Sequence, residues 1–432
     1  MQMHPGNIAE IESLEAQAIR AAQSGREDDA TRLWSRILEI NPNHARTLTA
    51  LGQRAFRKGD MASARTVFQR LVDTDGSDPQ QWLHLALTCR NLKDESAEES
   101  AITRALSIDP GDLLGLILRA NLLERQGKTH QAARVNRAVT RVSPPIDRLR
   151  VELRPAVEHA FESTKKYGAD LAAFIDQYLE PHFKSLAGEN LKRFRDSVDI
   201  MVERKRRYDS QSMIYHYPQL APIEFFDGAD FPWLDSVEAA TDEIREEFLQ
   251  ILEGEEGFVP YISYAADVPL NQFAELNNSP RWNAFHLYKS GMLVAENASK
   301  APRTMKVLEG VPQPDQPGRT PAAMFSLLKP KTRIPPHTGV TNVRLVTHLA
   351  LIIPEECGFR VGNDTRQWVP GKAWVFDDTI EHEAWNNSDK LRVVLIFDVW
   401  HPHLTPAERV MITALTSGVN AFSGGAIEAE SQ

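Results

Sequence analysis

Residues 325–354 read FSLLKPKTRIPPHTGVTNVRLVTHLALIIP, and this stretch decides the class of the C-terminal third. Two β-rich runs, 323–328 and 343–353, flank a segment broken by Pro330, Pro335 and Pro336. Further runs at 358–361, 373–376 and 392–400 follow, with Pro354 and Pro370 between them. Many short strands separated by turn residues argue for a sandwich or jelly roll. The double-stranded β-helix is the variety that leaves a mouth open for a ligand.

Polar residues interrupt these apolar runs at a few places. Ser326 sits in MFSLL, His348 lies inside LVTHLALII, and Arg392 opens RVVLIFDVW. His337 follows the paired prolines, and His382 follows the acidic turn FDDTIE. Each such residue faces water or lines a cavity. An inward Arg392 needs an anion, because a buried unpaired guanidinium is very costly. An outward Arg392 is a solvated strand start. His348 alone reads as a satisfied core histidine.

Upstream the signal is helical. Ala156, Ala160 and Phe161 share one side of a pattern running from about 146 to 210, and Leu171, Phe174, Ile175 and Leu179 repeat at helical spacing. Pro181 is expected to end that stretch. Residues 215–233 are turn-rich. Residues 237–252 read as a further helix capped by Asp235-Ser236 and ended by Gly254.

The first third repeats every 34 residues. Small residues recur at Ala18, Gly52, Ala86 and Ala120, where paired helices must approach closely. A turn position recurs at Gly25, Gly59, Lys93 and Gly127. Two further series in the same phase are Ala30, Ala64, Glu98 and Ala132, and Pro42, Gly76, Pro110 and Pro144. The pattern resembles the tetratricopeptide repeat over about 10–145, with Gly76, Lys93 and Glu98 as departures. Such arrays form an α-solenoid with a concave groove. The resemblance implies a peptide or protein partner, or self-association.

The chain has 432 residues and a formal charge of −10, which argues against general nucleic-acid binding. The basic run Arg204–Arg207 reads as a solvated helix face. Only Cys89 and Cys357 occur, so there is no disulfide framework or cysteine zinc site. No run of 18 apolar residues is present, so no membrane span is expected. The N-terminus lacks a secretory pattern, and a cytoplasmic location is the expectation.

Taken together, 325–354, CGFRVG (357–362), Trp368, 371–386, 392–409 and an outlying WNAFHLYKSG (282–291) resemble the aspartyl/asparaginyl β-hydroxylase family. That family is a branch of the 2-oxoglutarate oxygenases, and the likeness covers about 215–415. It implies iron(II) held by His337 and His382, with waters completing the shell. Other iron oxygenases carry a carboxylate two residues after the first histidine; here that residue is Gly339, a glycine this family shares. The resemblance also implies that Arg392, helped by Ser326, clamps the distal carboxylate of 2-oxoglutarate. His348 would reach the carboxylate or keto end near the metal, and Arg344 belongs to the same cosubstrate site. Asp378 would contact a metal-bound water as base or anchor; alternatively, Asp377 and Asp378 only shape a turn. His401 reads as structural. Val346 departs from the family, which often carries arginine two residues before the equivalent of His348, and this bears on the substrate.

The implied activity consumes 2-oxoglutarate and O2, with ascorbate in support, to hydroxylate an unactivated carbon. The leading target is the β-carbon of Asp or Asn in a peptide recruited by the repeats. The alternatives are a small molecule or lipid acyl chain, and an interaction protein that has lost catalysis. The expected layout is α+β multidomain: a repeat array at 1–145, a helical connector at 146–214, a double-stranded β-helix oxygenase domain at 215–420, and a flexible tail at 421–432.

Overall fold

The computed structural model describes residues 5–265, 267 and 273–423. The chain divides into two compact units, residues 1–195 and 196–432.

The first unit is a tetratricopeptide-like solenoid of antiparallel helix pairs. The pairs are α1 (Pro5–Gln23) with α2 (Glu27–Ile40), and α3 (Ala45–Arg57) with α4 (Met61–Thr74). They continue as α5 (Pro79–Asn91) with α6 (Glu95–Ile108), and α7 (Leu113–Arg125) with α8 (Thr129–Val142). The repeat series explain the packing. Ala18, Gly52, Ala86 and Ala120 are all buried, and a β-carbon on Gly52 would strike the ring of Phe68. The turn positions Gly25, Gly59, Lys93 and Gly127 all adopt positive φ, between 59° and 77°. Glycine takes that conformation without steric cost, so Lys93 is the strained member. Glu98, which stands where the other repeats have alanine, is buried and paired with Arg125. Asp60, Asp78, Asp94 and Asp112 accept a backbone N–H at the starts of α4 to α7.

Helix α9 (Arg154–Ser185) follows, and α10 (Lys192–Met201) spans the division between the units. Pro181 does not end α9; it lies inside the helix, one turn before its end. Beyond Met201 the expected helical connector gives way to extended chain, and 211–217 runs along 339–342. Met213 and Ile214 donate backbone N–H bonds to Gly339 and Val340, and Tyr215 bridges to Thr341.

In the second unit, α11 (Leu234–Ala239) and α12 (Thr241–Glu253) replace the single helix expected at 237–252. Asp235 and Ser236 lie inside α11 instead of capping it. Strands β1 (Val259–Pro260), β2 (Trp282–Lys289) and β3 (Met292–Leu293) precede α13 (Ala295–Ser299) and α14 (Pro302–Leu308). Strands β4 (Ala323–Leu328), β5 (Thr332–His337), β6 (Arg344–Ile352), β7 (Cys357–Val361), β8 (Asp364–Arg366), β9 (Ala373–Phe376), β10 (His382–Asn386) and β11 (Arg392–Trp400) follow. Helix α15 (Pro406–Phe422) opens with a capping box formed by Thr405 and Glu408. Residues 424–432, most of the expected tail, lie outside the described residues.

The strands form two sheets that do not close into a barrel. The larger has the order β1-β2-β4-β11-β6-β9, with β3 on β2; the smaller has the order β5-β10-β7-β8. Side chains alternate between the faces of a strand. In β4, β6 and β11 the odd-numbered residues, such as Phe325, Leu345, Leu349, Leu395 and Phe397, join Val237, Ile244 and Phe248 in one core. The even-numbered residues Leu328, Val346, Ala350 and Val394 meet Ile334, Phe359, Phe376 and Ala384 in a second core, between the sheets.

Candidate functional site

Parity places the polar residues. Ser326, Arg344, His348, Arg392 and Asp398 all have even numbers on β4, β6 and β11, so all face the gap between the sheets. There they line one cavity with His337, His382 and Asp378. All seven site residues read from the sequence therefore converge on it.

His337 ends β5 and His382 begins β10, and the two are cross-strand partners. Their ring centroids lie 4.0 Å apart. Each Nδ1 bonds the carbonyl two residues upstream, Pro335 at 2.7 Å and Ile380 at 3.0 Å. A carbonyl only accepts, so Nδ1 carries the proton and Nε2 keeps its lone pair. Burial holds both imidazoles neutral, with His382 pushed down to about 4 and His337 well below its usual range. Phe273 packs edge-on against His337 at 4.7 Å.

Arg392 is 1% exposed, and its Nε and Nη1 have no hydrogen-bond partner. It lies over the Trp368 ring at 4.9 Å, and burial lowers its pKa to about 10. Nearby, Ser326 Oγ accepts from the Trp282 indole at 3.1 Å, so its own proton remains to donate. His348 is buried, and its Nδ1 also lacks a partner. Burial, then Arg392 and His382, keep it neutral.

Arg344 reaches the cavity with its charge already matched. It donates from Nη1 to Asp378 at 2.9 Å, and its Nε lies 3.5 Å from Asp398. Arg392 is the guanidinium left for an anion. The paired aspartates point to different partners. Asp377 accepts from the backbone and hydroxyl of Thr379, which shapes the turn. Asp378 turns inward to Arg344, and its Oδ1 is buried without a partner. Burial raises the pKa of Asp378.

These groups fit a metal and an anionic cosubstrate. Two lone-pair nitrogens meet on one side, and an orphaned guanidinium, a hydroxyl and an imidazole meet on the other. Among the described residues no group of three or more His, Cys, Asp or Glu is placed to hold a metal; His337 and His382 are the pair whose Nε2 atoms could hold one.

The outer face of the small sheet is a separate ion-pair cluster. Glu383 points away from the cavity to Arg333 and Arg360, and Arg360 also reaches Glu381. His401 is structural: its Nδ1 accepts the backbone N–H of His403 at 3.2 Å, and its ring meets Phe226 edge-on.

Sequence reading missed Met213, Tyr261, Phe273 and Asp398, all of which line the cavity. Asp398 could have been found from parity, six residues after Arg392 on one strand. Met213 arrives on a distant segment and leaves no local signal.

A family model described as aspartyl/asparaginyl beta-hydroxylase matches residues 238–402, and a tetratricopeptide repeat model matches 15–81 and 49–112. The chain is 38% identical over 175 residues to the human aspartyl/asparaginyl beta-hydroxylase, covering 40% of this chain and 21% of that protein. It is 34% identical over 204 residues to the ornithine lipid ester-linked acyl 2-hydroxylase of Rhizobium tropici, covering 46% of this chain and 69% of that protein. The match thus spans about a fifth of the human and mouse relatives. Among solved structures, MamA covers 42% of this chain and 96% of its own at 17% identity, with a TM-score of 0.33. No helix among the described residues is long and apolar enough to cross a membrane.

Proposed function

The chain belongs to the aspartyl/asparaginyl β-hydroxylase family, and on that footing we propose that it is an iron(II)- and 2-oxoglutarate-dependent hydroxylase. One observation carries the reading. Two neutral histidines, each with Nδ1 tied to a carbonyl, share a cavity with a buried guanidinium that has no protein partner.

In this reading His337 and His382 hold iron(II) through Nε2. Arg392 and Ser326 take the distal carboxylate of 2-oxoglutarate, and His348 bonds its metal-side end. When bound, the metal, cosubstrate and O2 supply hydroxylation of an unactivated carbon. The chain's own residues orient the reactants. The carbonyls of Pro335 and Ile380 fix both imidazole rings. Arg344 holds Asp378, whose free Oδ1 faces the cavity and would accept a hydrogen bond from a metal-bound water. Met213, Phe273 and Trp282 line the cavity around these groups.

Two targets stand. The first is the β-carbon of Asp or Asn in a peptide that the repeats recruit. The second is an acyl chain, favoured by the apolar lining of Met213, Met324, Ile334 and Ile396 and by the likeness to a lipid hydroxylase.

The test is turnover of 2-oxoglutarate to succinate by protein supplied with iron(II) and ascorbate. Slow succinate formation without substrate is expected, and it should be lost in His337→Ala and His382→Ala. No succinate and no retained metal would favour the interaction-protein reading.

A further inference from the structure

The cavity holds two guanidinium groups among the described residues, and their circumstances differ. Arg392 is orphaned and lies on the Ser326 and His348 side. Arg344 is clasped by Asp378 and Asp398, both buried. With both carboxylates ionised this trio carries one negative charge. With one protonated it is neutral, and in no state with Arg344 paired is it positive. Between Arg344 and His348, on the same strand face, stands Val346, cross-strand from Asp398 and from Phe376. Ile396 and Met324 line the cavity beside it.

Among the described residues lining the cavity, Arg392 is the one guanidinium without a carboxylate partner. If the cosubstrate takes Arg392, a second carboxylate would enter beside Val346 with no free cation and with a neutral or negative trio facing it. Burying a carboxylate without a partner is strongly disfavoured. An uncharged aliphatic group there can pack on Val346, Ile396 and Met324 and asks nothing of the paired Arg344.

We propose that the group delivered for hydroxylation is uncharged and aliphatic, and that Val346, with Arg344 locked between Asp378 and Asp398, rejects a carboxylate at that place. This rests on the 2-oxoglutarate hydroxylase reading. Within that reading it sets an aspartate side chain apart from its uncharged counterparts. The shared chemistry has two sources, a neutral peptide side chain or an acyl chain.

The experiment uses the full chain and two matched pairs of probes. One pair is N-acetyl-aspartate methylamide and its β-methyl ester. The other is the monoamide of octanedioic acid, ionised at its far end, and octanamide. Binding is read by tryptophan fluorescence, since Trp282 lines the cavity, in metal-free protein holding 2-oxoglutarate. The neutral member of at least one pair should bind tenfold or more tightly than its acid. Which pair binds identifies the source. In Val346→Lys the preference should shrink to less than threefold or reverse. Asp398→Asn, which removes one carboxylate from Arg344, should move it the same way should the lysine variant not fold. Acids bound as tightly as their neutral partners by the parent chain, or no binding by any of the four, overturns the proposal. Succinate formation without substrate is measured alongside: its presence with a failed preference sinks this inference alone, and its absence sinks the reading beneath it.

Discussion

The carboxylate of Asp378 fills the space where a side chain on Gly339 would begin. Asp378 cannot easily retreat, because Oδ2 is held by the buried Arg344 and the backbone N–H of Gly339 donates to the Asp378 carbonyl at 2.7 Å. The position two residues after His337 is therefore closed to a metal-binding side chain by the residue that faces the cavity in its place. Gly339→Ala should force Asp378 from Arg344, destabilise the fold by about 1–3 kcal/mol and reduce succinate formation at least tenfold. Gly339→Asp should not tighten metal binding. Calorimetry and metal analysis check both, and a Gly339→Asp protein that holds iron more firmly would refute the steric argument.

Arg392 should show opposite signs for stability and for binding. A buried guanidinium without a partner destabilises the empty protein, and its replacement by an apolar side chain of similar length removes that cost. Arg392→Met should melt higher than the parent in the absence of ligand, by roughly 1–3 kcal/mol. It should also lose the stabilisation that 2-oxoglutarate confers on the parent, since a ligand stabilises only a state it binds. Melting curves with and without 2-oxoglutarate decide this. A lower melting point without ligand would mean that Arg392 has a partner in the fold.

Much of this fold and site is legible in the sequence, for reasons that are local. Apolar-rich runs at 323–328, 373–376 and 392–400 are the observed strands, because they are short, mostly buried and bounded by turn residues, with Ser326, Arg392 and Asp398 as their few polar members. Strands β5 and β10 were not legible as strands. Pro335 and Pro336 stand in β5, which the sheet accepts because β5 lies at its edge. β10 alternates His382 and Ala384 inward with Glu383 outward, and five residues of mixed polarity carry little signal. The orientation of Arg392 was open from sequence alone, since an inward and a solvated arginine look alike. What closes the question is the even parity it shares with Ser326 on the neighbouring strand. The double pairing of Arg344 was not legible at all, because Asp378 reaches it from the turn after β9 and Asp398 from β11.

Lys93 stands at a position where the other three repeats have glycine, with φ of 59°. A β-carbon in this conformation costs roughly 1 kcal/mol, partly offset by the greater freedom of glycine in the unfolded chain. Lys93→Gly should therefore stabilise the solenoid by up to about 1 kcal/mol, whereas Gly127→Ala should weaken it by a similar amount. Urea titrations of the two variants measure this. Equal and small effects at both positions would show that the turn is not under strain.

Two buried histidines outside the cavity, His286 and His401, add to the acid sensitivity of the fold. Burial, then Lys289, pushes His286 down to about 4, and burial, then His403 and Arg409, does the same to His401. The unfolded chain takes up these protons near pH 6.5, and the folded chain refuses them until about pH 4. Stability contributed by their neutrality is thus present above pH 6.5 and is lost as pH falls to about 4. Asp398 acts in the other direction: burial raises it to about 6, so the folded chain gains a proton before the unfolded one does. Its contribution grows as pH falls from about 6 towards 4 and opposes part of the loss. His286→Gln and His401→Gln should each flatten the decline in stability between pH 6.5 and 4, by on the order of 3 kcal/mol at full effect. Asp398→Asn should steepen it. Denaturant titrations at pH 7, 6, 5 and 4 separate the two, and an unchanged slope in both histidine variants would mean that neither ring is held neutral by the fold.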